Sequence, residues 1–355
     1  MTHPYQNLDE FQFWQHGMTD PAPGHIDPVV RSKTILKTEK VATIGSCFAQ
    51  HLGRNISKSG FNYFVAETCD QELPPEIARS RNYGVFSARY GNVYTVRQAV
   101  QLFDRAFGQF QPGEHIWRSG SKFVDAFRPR IEPDGFSRRE EAISSRETHL
   151  SCVRKVFEDC DWLIFTLGLT EAWRSRSDGA IFPLAPGVHG GEFDPQAHEF
   201  VNFGASEVSH DLGVLVSKLA SVNAAAQVLL TLSPVPLIAT YEKRHVLVST
   251  TFSKSALRVA ADDAERNFRN VIYFPAYEII TSAANGGRYF EDDLRNVSDI
   301  GVNHVMRVFS KHFMHRSEAV SQKVQPIQVQ SDDGDSADVV CDEEEIRRAI
   351  KSSGF

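Results

Sequence analysis

Four short runs of apolar and β-branched residues constrain this chain more than any other feature. They lie at 41–44 (VATI), 162–166 (WLIFT), 227–232 (QVLLTL) and 271–274 (VIYF). Each has the length of a buried strand and meets Gly, Pro or Ser within two residues. Helical periodicity fills the intervals. In 47–59, Phe48, His51, Leu52 and Ile56 recur at one-face spacing, and 95–107, 146–159, 206–222, 253–268 and 298–313 read similarly. Several of these begin near a Ser or Thr suited to capping. Strands alternating with helices predict an α/β domain with a single doubly wound, flavodoxin-like parallel sheet, because parallel crossovers need helices. Ligands in such sheets bind beyond the carboxyl ends of the strands. The residues to inspect are therefore 45–47, 168–171, 233–236 and 275–277.

The rest of the chain reads as additions to that sheet. Residues 1–40 are polar and proline-bearing, an arm over the body at 41–316. Stretches 69–136 and 174–203 are insertions of loop or cap type. Residues 317–355 hold nine acidic and four basic residues, most of the net charge of −7. This tail is expected to be disordered, with a short helix at 343–351 for a protein partner. The near-neutral body argues against nucleic-acid binding. Five cysteines without CxxC spacing suggest neither a disulfide framework nor a zinc site. With no basic-then-apolar N-terminus and no spanning apolar run, a cytoplasmic protein without membrane insertion is expected. Neither GxxxxGK[ST] nor GxGxxG occurs, and no cofactor is implied.

The segment Gly45-Ser46-Cys47-Phe48-Ala49 passes from a strand into a helix. That places Ser46 at a strand's carboxyl end beside backbone N–H groups that stabilise an anion, a setting for an acyl-transfer nucleophile. The same position also suits an N-capping serine. Cys47 is a competing nucleophile or a buried thiol.

The same segment resembles the name-giving motif of the GSCFA family, related to the SGNH/GDSL hydrolases and acetylesterases. The resemblance runs from Lys40 to Phe313 through NYGVFSARYGN (82–92), TLGLTEAW (166–173), TLSPVPL (231–237), YFPAYEII (273–280) and YFEDDLRNVSDIGVNHVM (289–306). It implies an SGNH-type sheet with Ser46 as nucleophile and an oxyanion hole from the Ser46 N–H, Gly84 and Thr170. In this alignment Gly168 opens the G-x-N-D block, and Thr170 replaces its Asn. Asp293 and Gly301 keep their spacing in the last block, but Asn296 stands where the family relatives place a histidine. Asparagine does not accept a proton near neutral pH.

Two histidines offer a substitute base: His304, eleven residues after Asp293, and then His245. Both also read as ordinary hydrogen-bonded surface histidines. Glu171 is either a pocket acid raised by burial or a salt-bridge partner of Arg174 or Arg176. The resulting expectation is an SGNH-like esterase or acetyltransferase acting on an O-acyl, carbohydrate-like substrate. The alternative is a non-catalytic ligand-binding or scaffold protein on the same fold, because Asn296 breaks the Asp–His pair.

Overall fold

The computed structural model describes residues 3–22, 24–69, 73–314, 339 and 341–352. The expected strands form a four-stranded parallel sheet of β1 (Val41–Gly45), β4 (Trp162–Leu167), β8 (Gln227–Leu232) and β9 (Val271–Phe274), ordered β1-β4-β8-β9. Its register pairs Val41 with Trp162, Trp162 with Gln227, and Val228 with Val271. Beyond β1 the sheet edge carries only an isolated bridge, Val41 to Tyr63.

Alternation along the strands divides the core into two layers, because successive side chains point to opposite faces. Ala42, Ile44, Leu163, Phe165, Val228 and Leu230 face one cluster. There they meet α3 (Val96–Ala106), α4 (Arg139–Asp159), α5 (Ala205–Val222) and α6 (Val246–Asn267). Val41, Trp162, Ile164 and Leu229 face the other cluster. That layer holds α1 (Ala49–Lys58), α7 (Ala276–Thr281) and α8 (Asp299–Phe313). Helices on both faces make the sheet doubly wound.

The stretch 73–136 carries α2 (Pro75–Ser80), α3 and the hairpin of β2 (Ile116–Ser119) with β3 (Lys122–Asp125). Since α3 packs in the helical layer, only part of this stretch is an addition to the sheet. The second addition is a three-stranded antiparallel sheet of β5 (Glu171–Ser175), β6 (Ile181–Phe182) and β7 (His198–Asn202). The N-terminal arm lies along α8, where Ile35 N–H donates to the Phe313 carbonyl at 2.7 Å and Lys311 pairs with Asp27.

The tail departs from expectation. Residues 341–345 are mostly buried against the body, and α9 (Glu344–Ser352) follows them. The acidic run expected to solvate the chain or recruit a partner packs on the chain's own basic residues instead. The remainder of that expectation, at 317–338, 340 and 353–355, lies outside the described residues.

Candidate functional site

The end of β1 is shaped by one glycine. Gly45 has φ +131°, and a Cβ there would stand 2.2 Å from the Thr166 carbonyl oxygen. Only glycine allows this approach. Ser46 N–H then donates to the Thr166 carbonyl at 3.0 Å, and Val93 N–H donates to the Gly45 carbonyl at 2.8 Å. The loop at 91–95 is thereby drawn along the strand end. Gly168 closes the other side, since a Cβ on it would lie 3.2 Å from that of Ser46.

Ser46 is 2% exposed, and its hydroxyl has no hydrogen-bond partner among the described residues. A buried hydroxyl without a partner costs about 1–3 kcal/mol, so its position is not explained by folding alone. The neighbouring Cys47 thiol is pushed well up by its hydrogen bond to Cys341 and by burial. That thiol is both protonated and engaged with Cys341, whereas the Ser46 hydroxyl is engaged with no described residue.

Three polar groups lie around this end of the strand: Asn92 beside Val93, Lys254 against Gly168, and Arg295 close enough to Cys47 to act on its thiol. Asn92 donates from its backbone N–H at 3.2 Å and its Nδ2 at 3.0 Å to one carboxylate oxygen of Asp342. Two N–H donors converging on one oxygen form an oxyanion-type cradle. Lys254, buried on α6, donates from Nζ to the Gly168 carbonyl at 2.6 Å. Burial lowers its pKa to about 8 against the upward pull of Glu343. Arg295 reaches Glu343 at 2.8 Å and Glu344 at 3.0 Å. A cavity of about 760 Å³ adjoins the site, lined in part by Cys47, His51, Arg130, Asn296 and Cys341.

The residues expected from sequence occupy varied places. Gly168 stands against Ser46. Asp293 accepts from Asn296 N–H and Asn296 Nδ2, both at 2.8 Å, so these two residues are in direct contact. His304 is not presented to Ser46, because its ring nitrogens contact the Tyr289 hydroxyl at 2.7 Å and the Ile26 carbonyl at 2.8 Å under the N-terminal arm. His245 caps α6 by accepting from Leu247 N–H. It is exposed, nine residues before Lys254 and so about 13 Å along the helix.

Two of the expected oxyanion donors are engaged elsewhere, and the third is exposed. Ser46 N–H continues the ladder to β4. Thr170 donates its N–H to Ser253 Oγ at 3.0 Å and its hydroxyl to Asn202 at 2.7 Å. Gly84 lies exposed in a turn with φ +71°. Glu171 accepts from Thr240 and Tyr241 N–H, and burial raises its pKa. Arg174 and Arg176 pair with Glu199 rather than with Glu171.

Asn92, Lys254 and Arg295 escaped sequence reasoning. Lys254 gave no clear signal, because at 100° per residue it stands off the stripe of 249, 253, 256, 257 and 260, at the edge marked by Ala261. Once buried there, a lysine needs a polar partner. Asn92 and Arg295 sit inside motif blocks whose other members drew the attention. Among the described residues, no helix is long and apolar enough to cross a membrane, and no His/Cys/Asp/Glu group suits a metal ion.

Two solved structures are similar. One is a carbohydrate esterase family 3 protein from Talaromyces cellulolyticus, 11% identical over 77% of this chain and 95% of that one, with a TM-score of 0.33. The other is a catalytic mutant of an acetylxylan esterase from Geobacillus stearothermophilus, 12% identical over 79% and 96%, with a TM-score of 0.30. Comparison with curated proteins gives no significant match. The sequence model of the GSCFA family matches residues 40–309, from just before β1 into α8 and thus across the whole parallel sheet. The chain belongs to the GSCFA family.

Proposed function

We propose that Ser46 is the nucleophile of an acyl-ester site. The reaction is hydrolysis or transfer of a small acyl group such as acetyl, from an O-acyl, carbohydrate-like substrate. The observation carrying this reading is the buried, unpartnered Ser46 hydroxyl at the carboxyl end of β1. In the reaction, Ser46 Oγ attacks the ester carbonyl carbon and its proton passes to the neutral amine of Lys254. Negative charge on the carbonyl oxygen is held between Asn92 N–H and Asn92 Nδ2, after Asp342 has left them. Lys254 then protonates the departing alcohol. Water or an acceptor hydroxyl cleaves the acyl-serine and restores the enzyme.

A lysine base answers the loss of the histidine. Neutral amine is needed, and a pKa near 8 leaves an appreciable fraction of it at neutral pH. Asn296, held by Asp293, forms part of the cavity wall.

The test is acetyl release from 4-nitrophenyl acetate by the full chain and by its Ser46→Ala variant. Loss of the enzymatic rate in the variant is expected. Undiminished release would remove Ser46 from the chemistry. A second reading, ligand binding without catalysis, is favoured by Asn296 in the histidine's place. It would stand if neither protein released product above the buffer rate.

A further inference from the structure

We propose that Asn92 and Arg295 form a carboxylate-binding subsite over Cys47 at the carboxyl end of β1, and that the chain's own Asp342 and Glu343 hold it as an internal ligand. The ligand class is a molecule with two acidic or acid-like ends a few atoms apart. For a substrate this means an acyl ester with a free carboxylate near the ester. Only the ester part of that identification rests on the reading of Ser46 as nucleophile; the carboxylate site stands without it.

The geometry divides the subsite into two ends. At one, Asp342 places a carboxylate oxygen between the two N–H donors of Asn92. A Cβ on Gly91 would stand 3.5 Å from the same oxygen, so the cradle fits closely. At the other end, Glu343 meets the fork of Arg295 at 2.8 Å, and both side chains are 9% exposed. The Glu343 backbone N–H also donates to the Tyr94 hydroxyl at 3.2 Å. Cys341 lies at 3.8 Å from that hydroxyl and shares a hydrogen bond with Cys47. The segment therefore runs directly over the residue after Ser46.

Two features mark this as a ligand site occupied by a substitute. Arg295 Nε is buried and has no hydrogen-bond partner among the described residues, although Nη1 and Nη2 are both paired. A guanidinium offers five donors, and a bound carboxylate commonly takes two of them in parallel. The hydroxyl of Ser46, the residue before Cys47, is likewise without a partner among the described residues. The segment thus satisfies the site's charge but not all its donors. It also bears two carboxylates that burial pushes upward in pKa, so both lose solvation on docking. A diffusible dicarboxylate of matching span competes for the same groups without needing to order a chain terminus.

Glutarate is the probe, with glutaramide as its neutral counterpart. Two measurements on the full chain test the proposal. Neither needs Ser46 to react. In the first, iodoacetamide alkylation of Cys341 is followed by peptide mass mapping. Saturating glutarate is expected to speed this alkylation several-fold and glutaramide to leave it unchanged. In the second, calorimetric titration compares wild type with Glu343→Gln. The variant's weakened internal ligand is expected to let glutarate bind about tenfold more tightly, and Arg295→Gln added to it to abolish that binding. The proposal is overturned if glutarate leaves Cys341 protected, if glutaramide acts equally, or if binding survives Arg295→Gln. An inactive Ser46 with intact glutarate binding would instead refute the acyl reading alone.

Discussion

Asp293 clasps Asn296 at two points, accepting from its backbone N–H and from its side-chain Nδ2, each at 2.8 Å. Asn296 is thereby held in place by a carboxylate, yet its amide takes no proton. In the proposed mechanism the base comes from another element, the buried amine of Lys254 on α6. On this account Asn296→Ala changes the rate of Ser46 modification by a fluorophosphonate no more than about twofold. Mass-spectrometric rate measurement checks it, and a loss of two orders of magnitude would return the catalytic role to the Asp293–Asn296 pair.

Lys254 sets the pH dependence. Its conjugate acid has a pKa of about 8, lowered by burial and by Arg295 and raised by Glu343 and Cys47. The reactive species is the neutral amine. Ser46 modification should therefore rise about tenfold per pH unit below that value and level off above it. Glu343→Gln removes an attraction for the ammonium form, so the inflection moves to lower pH. Lys254→Met abolishes the inflection and lowers the plateau about a hundredfold or more. An unchanged profile in Lys254→Met would exclude the lysine.

Gly45 ties sequence to site most tightly. Gly45→Ala puts a methyl carbon 2.2 Å from the Thr166 carbonyl oxygen at a positive φ. The expected cost is about 3 kcal/mol or more, seen as a lower midpoint in urea unfolding. A loss below about 0.5 kcal/mol would contradict the close approach of β1 and β4.

A different buried contact holds the addition carrying β2 and β3. Arg128 Nε lies 2.9 Å from Asp125 Oδ2, with side chains 2% and 0% exposed. Burial pushes the Asp125 carboxyl upward, and the charge and hydrogen bond of Arg128 overrule it and hold it below the usual range. Arg128→Met removes that carboxylate's main counter-charge, leaving it the Phe127 N–H and the more remote Arg105, and should cost about 3–5 kcal/mol. Urea unfolding measures this, and wild-type stability in the variant would show that the pair contributes nothing net.

The parallel sheet was legible because each of its strands is an apolar run closed by a turn residue, with amphipathic helices between. Ser46 was legible for the same reason, as the first polar residue after a strand. What failed was inference about contacts distant in sequence. Nothing local tells that His304 is spoken for by Tyr289 and Ile26, or that Thr170 faces Asn202 and Ser253. The acidic run at 342–345 has the composition of a solvated tail. Its burial depends on Asn92, Arg130 and Arg295, which lie 47 or more residues away in the chain and acquire meaning only when the sheet brings them together. Lys254 belongs with them, since its burial at the edge of the core face of α6 shows only in the packed structure.

The most direct measurement of the central claim is peptide mapping of the full chain after treatment with a fluorophosphonate, beside Ser46→Ala and Glu343→Gln. The account predicts an adduct on Ser46 in wild type, faster formation in Glu343→Gln, and none in Ser46→Ala. An adduct that persists in Ser46→Ala, or Ser46 left unmodified even in Glu343→Gln, would contradict it.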